Sequence, residues 1–252
     1  MNAPFDLWHI HAPRLTHARA FVFLASFCLM VVEIVAGRMT APYLGVSLYT
    51  WTSVIGAILL GVTIGNYAGG RIADKTHSKI IFGISFCLAG AATLLASYLA
   101  RWSGPFLSTS ALPLWASTAL FASTVFFPAA FFLSTISPQA VKFDLHDLEK
   151  TGATIGTIGA WSAAGSIVGT FATGFILIAY MGTQNIMNAV AATLIFAGCY
   201  LAAEAKLWKK PIAALVVVAF LGSLGLPSIC TVETNYYCIR IQDSINKDGM
   251  KR

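Results

Sequence analysis

The residue with the clearest capacity for chemistry is Glu33, a carboxylic acid placed well inside a long apolar run. An ionisable side chain at membrane depth is costly, which makes it a functional candidate. Arg38 follows five residues later, about 140° away around an ideal helix, so the two cannot pair on one straight face. Asn66 and Tyr67, in the next apolar run, add polar groups. We take these four residues as the candidate substrate-binding group.

A structural interpretation of the same residues stays open beside the functional one. In it, Gly37 loosens the helix end, Arg38 extends to the outer headgroups, and a neighbouring helix satisfies Glu33 through Asn66, Tyr67 or a hydroxyl. The sequence therefore leaves two roles for Glu33, structural anchoring and the binding of a ligand or proton.

A second charged feature closes the next apolar run, where Gly69 and Gly70 precede Arg71, Asp74 and Lys75. A charged pair at a glycine-rich turn can hold one helix end against another, so Arg71 and Asp74 are a candidate cytoplasmic latch. Major facilitator transporters carry a similar loop. A generic cytoplasmic turn with positive charges explains the segment nearly as well.

Cysteine and histidine offer two further kinds of chemistry. Cys230 and Cys238 lie in a polar tail and are a candidate disulfide, with two free thiols as the alternative. Three other cysteines lie within apolar runs, where a thiol is usually a small packing residue. The histidines near the start of the chain have no cysteine or carboxylate partners close by, so we expect no metal site and no cofactor.

Composition sets the class of protein that must position these residues. The 252 residues are 57% hydrophobic and 10% charged, and their mean hydropathy of +0.75 exceeds what a soluble core can hide. The formal charge is +6, but the basic residues lie between apolar runs without interleaved aromatics, which argues against a nucleic-acid partner. We therefore predict an all-α polytopic membrane bundle whose first partner is the lipid bilayer.

Seven stretches approach the roughly 20 apolar residues that a spanning helix needs. They fall within a transmembrane domain at residues 20–227, between a polar lead at 1–19 and a polar tail at 228–252. The predicted spans are Ala20–Gly37, Tyr49–Gly69, Ile80–Ala100, Ala111–Leu133, Thr154–Ile178, Ile186–Ala202 and Pro211–Leu226. Pro128 and Pro138 are expected to kink or stop the fourth span.

Loop charges predict the orientation, because lysine and arginine in short loops favour the cytoplasmic side. Most basic residues lie on the side shared by the N-terminus and the even-to-odd connections, whereas Arg38 and Arg101 lie on the other. We expect an integral protein of a bacterial inner membrane with its N-terminus inside. If the seventh segment crosses, as we favour, the tail emerges outside.

Small residues indicate where the helices pack, since membrane helices associate through close backbone approach. Gly61, Gly65 and Gly69 recur every fourth residue, a spacing that drifts about 40° per step and keeps them on one groove. Gly165 and Gly169 repeat the spacing in the fifth span. We predict that these five glycines are helix-packing positions; a substrate path lined by them is the alternative.

Several ordered segments resemble the membrane domain of spermidine synthase-like fusion proteins, over about residues 20 to 205. The resemblance is carried by EIVAGR at 33–38, APYLG at 41–45, LYTWT at 48–52 and the stretch 61–74, then by 128–138, GSIVGT at 165–170 and YMGT at 180–183. The tail from Glu233 to Ile241 is similar to the first strand of the family's synthase domain, with alternating apolar residues.

The resemblance implies a Rossmann-type domain that transfers an aminopropyl group from decarboxylated S-adenosylmethionine to a diamine. No glycine-rich cofactor turn or catalytic aspartate follows the tail here, so we expect this chain not to act as an enzyme. Three hypotheses follow: an anchor or regulatory module for a spermidine synthase-like domain, a small transporter of a polyamine or other cation using Glu33, and a structural subunit of a membrane complex or homo-oligomer.

Overall fold

The computed structural model describes residues 17–76, 78–145 and 151–204, and the backbone of residues 232–233 and 238–239. A π-helical turn at Thr173–Leu177 connects the helix that ends at Ala172 to the short helix that begins at Ile178. The helices are α1 (Ala18–Leu44), α2 (Leu48–Lys75), α3 (Lys79–Ser108), α4 (Leu114–Val125), α5 (Phe127–Ser134), α6 (Ile136–Asp144), α7 (Thr151–Ala172), α8 (Ile178–Tyr180) and α9 (Thr183–Glu204).

Five of these helical segments are long and apolar enough to cross a membrane: α1, α2, α3, the continuous run Thr151–Tyr180, and α9. A sixth span is formed if α4 is counted with α5 and α6, to which it is bent by 44°. The predicted all-α membrane fold is confirmed at this level. The predicted seventh span, Pro211–Leu226, lies outside the described residues.

The tail is described only where two very short strands pair. β1 (Val232–Glu233) and β2 (Cys238–Ile239) are antiparallel, with Val232 opposite Ile239. The predicted strand-like tail therefore stays a prediction over its length, and the candidate disulfide of Cys230 with Cys238 lies outside the described side chains.

The bend confirms that the prolines interrupt the fourth predicted span. Phe126 separates α4 from α5, and Pro128 occupies the first turn of α5, where its missing N–H costs nothing. Thr135 separates α5 from α6, and Pro138 lies in the first turn of α6. The predicted span Ala111–Leu133 is therefore three short helices that extend to Asp144.

Short connections make consecutive spans antiparallel. Gly45, with φ of +74°, turns the chain after α1, a conformation that side chains rarely adopt. Ser47 then caps α2 by accepting a hydrogen bond from the Thr50 N–H, and Ser78 caps α3 by accepting one from the Ile80 N–H. The turn and the two caps allow α2 and α3 each to pack against α1.

The two ends of the bundle differ in chemistry. At one end, called here the aromatic end, Tyr49, Trp102, Trp115 and Tyr180 are exposed near the helix termini, as in the aromatic belts of membrane interfaces. The opposite, charged end carries Arg19 at the start of α1 and Asp144 at the end of α6, joined by an ion pair of 3.2 Å. Each end suits a headgroup region.

Helix α1 lies at the centre, against α2, α3, α4 to α6, α7 and α9. The most extensive pairings around it are α3 with α9, α1 with α7, and α2 with α5. Near the charged end, the rings of Phe21, Phe82, Phe86 and Phe143 interlock edge to face or tilted, with centroids 5.4–6.1 Å apart. Such aromatic contacts add to burial and fix the angles between helices.

The predicted packing glycines of α2 lie against α5 and α6. A Cβ on Gly61 would lie 2.8 Å from Ala130 Cβ, and one on Gly69 would lie 2.6 Å from the Thr135 carbonyl oxygen. A Cβ on Gly65 would overlap the Phe131 carbonyl oxygen. Backbone meets backbone along this line, so any side chain would separate the helices.

We expect Gly65→Leu to destabilise the bundle by about 1–3 kcal/mol, because the added side chain meets the α5 backbone and overpacks the contact. Gly56→Leu is the matched control in the same helix, since a Cβ there meets nothing within 4 Å. Thermal unfolding of the purified protein in detergent measures both. Equal stability of the two variants would contradict the packing described here.

Candidate functional site

A small cavity of about 100 Å³ lies between α1, α2, α5, α6 and α7. Half of its ten lining residues carry a hydroxyl or amide in an otherwise apolar bundle: Ser26, Asn66, Ser134, Ser137 and Ser162. A cavity with several polar partners can hold water or a small polar ligand. We call the cavity together with the face of α1 that runs from Ser26 to Glu33 the polar groove; Glu33 itself does not line the cavity.

The floor of the polar groove is fixed by a contact between α1 and α7. The hydroxyls of Ser26 and Ser162 are 2.7 Å apart and share a hydrogen bond. Two glycines allow the helices to come this close. A Cβ on Gly169 would lie 2.6 Å from the Phe27 carbonyl oxygen, and a Cβ on Gly165 would overlap the Phe23 carbonyl oxygen. These predicted packing glycines thus bring α7 against α1 beside the cavity.

Glu33 lies on the groove face of α1. It follows Ser26 by seven residues, about 20° around the helix and roughly 10 Å along its axis. Its side chain is half-buried. Within residues 17–76, 78–145 and 151–204, neither ion pair involves it and its carboxylate makes no hydrogen bond. The carboxylate thus has no counter-charge among the described residues.

Trp51 of α2 packs on α1 beyond Glu33. Its ring packs on Gly37, where a Cβ would lie 2.9 Å from Trp51 Cη2. Gly37 lies one turn beyond Glu33 and about 40° away around α1. Trp51 also precedes the cavity residue Val62 by eleven residues, about 20° around α2, so both face the groove. Nearly half of the Trp51 side chain is exposed, at 45%.

The carboxylate and the indole ring are both groups that attract cations. A carboxylate accepts hydrogen bonds and has no donor when ionised, and an indole face attracts cations. A primary ammonium group supplies three donors and a positive charge. No lysine or arginine lines the cavity, whose polar side chains are serines and an asparagine.

The other candidate binding residues are spread more widely than the sequence predicted. Asn66 lines the cavity near Ser26, which places it about two turns from Glu33. Tyr67 is exposed, and Arg71 of its own helix lies over its ring at 4.4 Å. Arg38 is half-buried on another face of α1. Of the four candidate residues, only Asn66 therefore lines the cavity.

The candidate latch residues are not paired with each other among the described ion pairs. Asp74 Oδ1 at the end of α2 lies 3.9 Å from Lys142 Nζ of α6, and Arg71 stacks on Tyr67. Both partners of the Asp74 pair are well exposed, so its contribution to stability is small. The charged end is joined through α6, by Lys142 to α2 and by Asp144 to α1.

Ser26, Ser162 and Trp51 were not picked out from the sequence as members of a site. A signal was present on α1, where Ser26 and Glu33 are one heptad apart and so share a face. No comparable signal links Ser162 or Trp51 to Glu33, because each reaches the groove from a different helix through tertiary packing.

We expect the groove to admit water, which can be tested on a variant without native cysteines. Asn66→Cys should react with a small, water-soluble methanethiosulfonate about 10-fold or more faster than Ile64→Cys, because only a hydrated thiol ionises readily to the reactive thiolate. Ile64 is the control, exposed on the opposite side of α2. Equal rates would show that the cavity is dry.

No family model, curated protein or solved structure matches this chain.

Proposed function

We propose that this chain is a membrane domain that binds a small organic cation, a polyamine or another alkylammonium ion, in the polar groove beside α1. The observation that carries the proposal is the position of Glu33, half-buried on the groove face and without a partner among the described residues. A charged ligand would supply the missing counter-charge.

The free-energy cost of an ionised Glu33 inside the membrane supports a positively charged ligand. An ionised side chain at the centre of a spanning helix costs about 2.5–3.5 kcal/mol on insertion scales, and such residues usually pair with another charge. Pairing with Arg38 on one straight helix face is excluded by the five-residue spacing. An ammonium ion between Glu33 and the Trp51 face is a pairing that this geometry accommodates.

The shape of the groove supports a ligand with more than one polar group. Glu33 and the cluster around Ser26 are roughly 10 Å apart along α1, separated by the apolar Leu29 and Met30. A flexible diamine or triamine can place one ammonium at Glu33 and another at the serine and asparagine oxygens. Transport of such a cation across the membrane is the activity we propose for the site.

We expect spermidine to raise the unfolding temperature of the wild-type protein in nanodiscs, since a ligand at 100 times its Kd stabilises the folded state by about 2.7 kcal/mol. Glu33→Gln should abolish the shift and the uptake of spermidine by reconstituted vesicles. Trp51→Ala should weaken binding by roughly 3- to 30-fold through loss of the cation–π contact.

Asp144→Asn is the matched control, because Asp144 is an acid at the charged end and pairs with Arg19 outside the groove. It should leave the spermidine effect unchanged. The proposal fails if Glu33→Gln folds normally and still responds to spermidine, or if Asp144→Asn removes the response as fully.

A second role is supported by the resemblance of residues 20 to 205 to the membrane domain of spermidine synthase-like fusion proteins. In this proposal the bundle anchors or regulates an aminopropyltransferase-like domain, and a polyamine in the groove would connect the two functions. A synthase that draws on cytosolic substrates requires the tail on the cytoplasmic side, whereas seven spans with the N-terminus inside would place it outside.

Labelling of Cys238 in intact cells separates these orientations. In a Cys230→Ser variant under reducing conditions, the anchor proposal predicts that a membrane-impermeant maleimide modifies Cys238 only after the membrane is permeabilised. Strong labelling of intact cells would place the tail outside and contradict a cytosolic synthase partner. The same reagent on a variant that also carries Cys238→Ser gives the background.

A further inference from the structure

Two thiols meet on the side of the bundle away from the groove. The Cys87 thiol of α3 lies close enough to the Cys199 thiol of α9 for the two to interact, and both are free thiols. The cavity is lined by neither α3 nor α9, so the pair is separate from the proposed cation site.

Glycines bring the backbones of α3 and α9 close enough for these thiols to touch. A Cβ on Gly198, the neighbour of Cys199, would lie 2.5 Å from Cys87 Sγ. One turn away, a Cβ on Gly83 would lie 3.0 Å from the Gly198 carbonyl oxygen. A disulfide requires Cα atoms within about 4.4–6.8 Å of each other, and small residues such as these glycines let helix backbones approach closely.

The two cysteines also lie at similar depths, and neither is fully covered by the protein, so a membrane-permeant disulfide is the reagent suited to them. Cys87 lies eight residues, roughly 12 Å, after the start of α3, and Cys199 five residues, roughly 8 Å, before the end of α9. Both helix ends belong to the charged end of the antiparallel bundle. Each side chain is partly exposed, whereas Cys28 of α1 is buried, with 1% of its surface exposed.

We propose that Cys87 and Cys199 form a redox site that an exogenous disulfide oxidises to an intramolecular disulfide joining α3 to α9. The reaction has two exchange steps. One thiolate attacks a sulfur of the oxidant, forming a mixed disulfide and releasing one thiol. The second cysteine then attacks the protein sulfur of that mixed disulfide and releases the other thiol. The protein loses two electrons and two protons, and the oxidant is reduced to two thiols.

The disulfide would link α3 covalently to α9 near the charged end. Helix α1 packs against both α3 and α9. The covalent link would therefore restrain these two helices on the side of α1 away from the groove, and it would leave the groove-lining side chains in place. Oxidation should therefore raise the thermal stability of the bundle and leave the composition of the groove unchanged.

The test uses the full chain with Cys230→Ser and Cys238→Ser, so that Cys28, Cys87 and Cys199 remain, and a protease site inserted after Lys150. Membranes are treated with dithiodipyridine, a permeant disulfide, and then denatured and alkylated. We expect the number of alkylated thiols to fall from three to one, with Cys28 still modified. After cleavage, the fragment with α3 and the fragment with α9 should migrate together until a reductant is added.

Two matched variants decide the assignment. In Cys87→Ser or Cys199→Ser the remaining thiol of the pair should stop at the mixed disulfide, which adds the mass of one thiopyridyl group, and cleavage should release separate fragments; Cys28→Ser should leave the intramolecular disulfide intact. The proposal is overturned if all three thiols stay alkylated in the folded parent protein, if Cys28 enters the bond, or if the bond joins two chains.

Discussion

Hydrocarbon offers no hydrogen bonds, and the whole structure depends on satisfying polar groups within the protein itself. The backbone does so by being helical, and many hydroxyls follow the same rule, although the buried Ser97 hydroxyl has no partner among the described residues. Thr40, Thr93 and Thr173 each donate to the carbonyl oxygen four residues earlier, so that a polar side chain adds no open donor to its helix. Against this background a carboxylate without a partner among the described residues is a local exception.

Close backbone approach is the second consequence of the same solvent. Lipid surrounds an apolar side chain as well as a neighbouring helix does, so association depends on contact and on shared polar groups. Gly65 places α2 on α5, and Gly165 places α7 on α1. In each case a polar contact or cavity lies beside the glycine, because only backbones this close let short side chains such as Ser26 and Ser162 meet.

The fold was predicted from sequence where length and hydropathy decide it. The apolar runs located α1, α2, α3, α7 and α9, since a span must match the hydrocarbon thickness, and Pro128 marked the bend before α5. Helix ends were missed where apolar character does not define them. Pattern alone ended the first span at Gly37, yet α1 continues through Pro42 to Leu44, because the chain reverses only at Gly45.

The candidate site was predicted only in part, for a physical reason. Glu33 is identifiable from residue type and surroundings alone, because an acid in an apolar run is rare. The residues beside Glu33 depend on which faces of four other segments pack against α1. Helical periodicity does not reveal these faces in a membrane span, because the side that contacts lipid and the side that contacts protein are both apolar. Tyr67 precedes Arg71 by four residues and stacks with it, whereas Asn66, 100° around the helix from Tyr67, enters the cavity.

The energetics of Glu33 connect the fold to the proposed activity. A glutamine at this position would keep the size and the hydrogen-bonding capacity of the side chain and would avoid the cost of a buried charge. A purely packing role therefore gives no reason for an acid on the groove face. A ligand that brings its own positive charge does, because the desolvated ion pair and the Trp51 face favour the bound state, while the unpaired acid disfavours the empty one. In the function proposed above, the same imbalance that makes Glu33 costly to the fold would make the site selective for a cation.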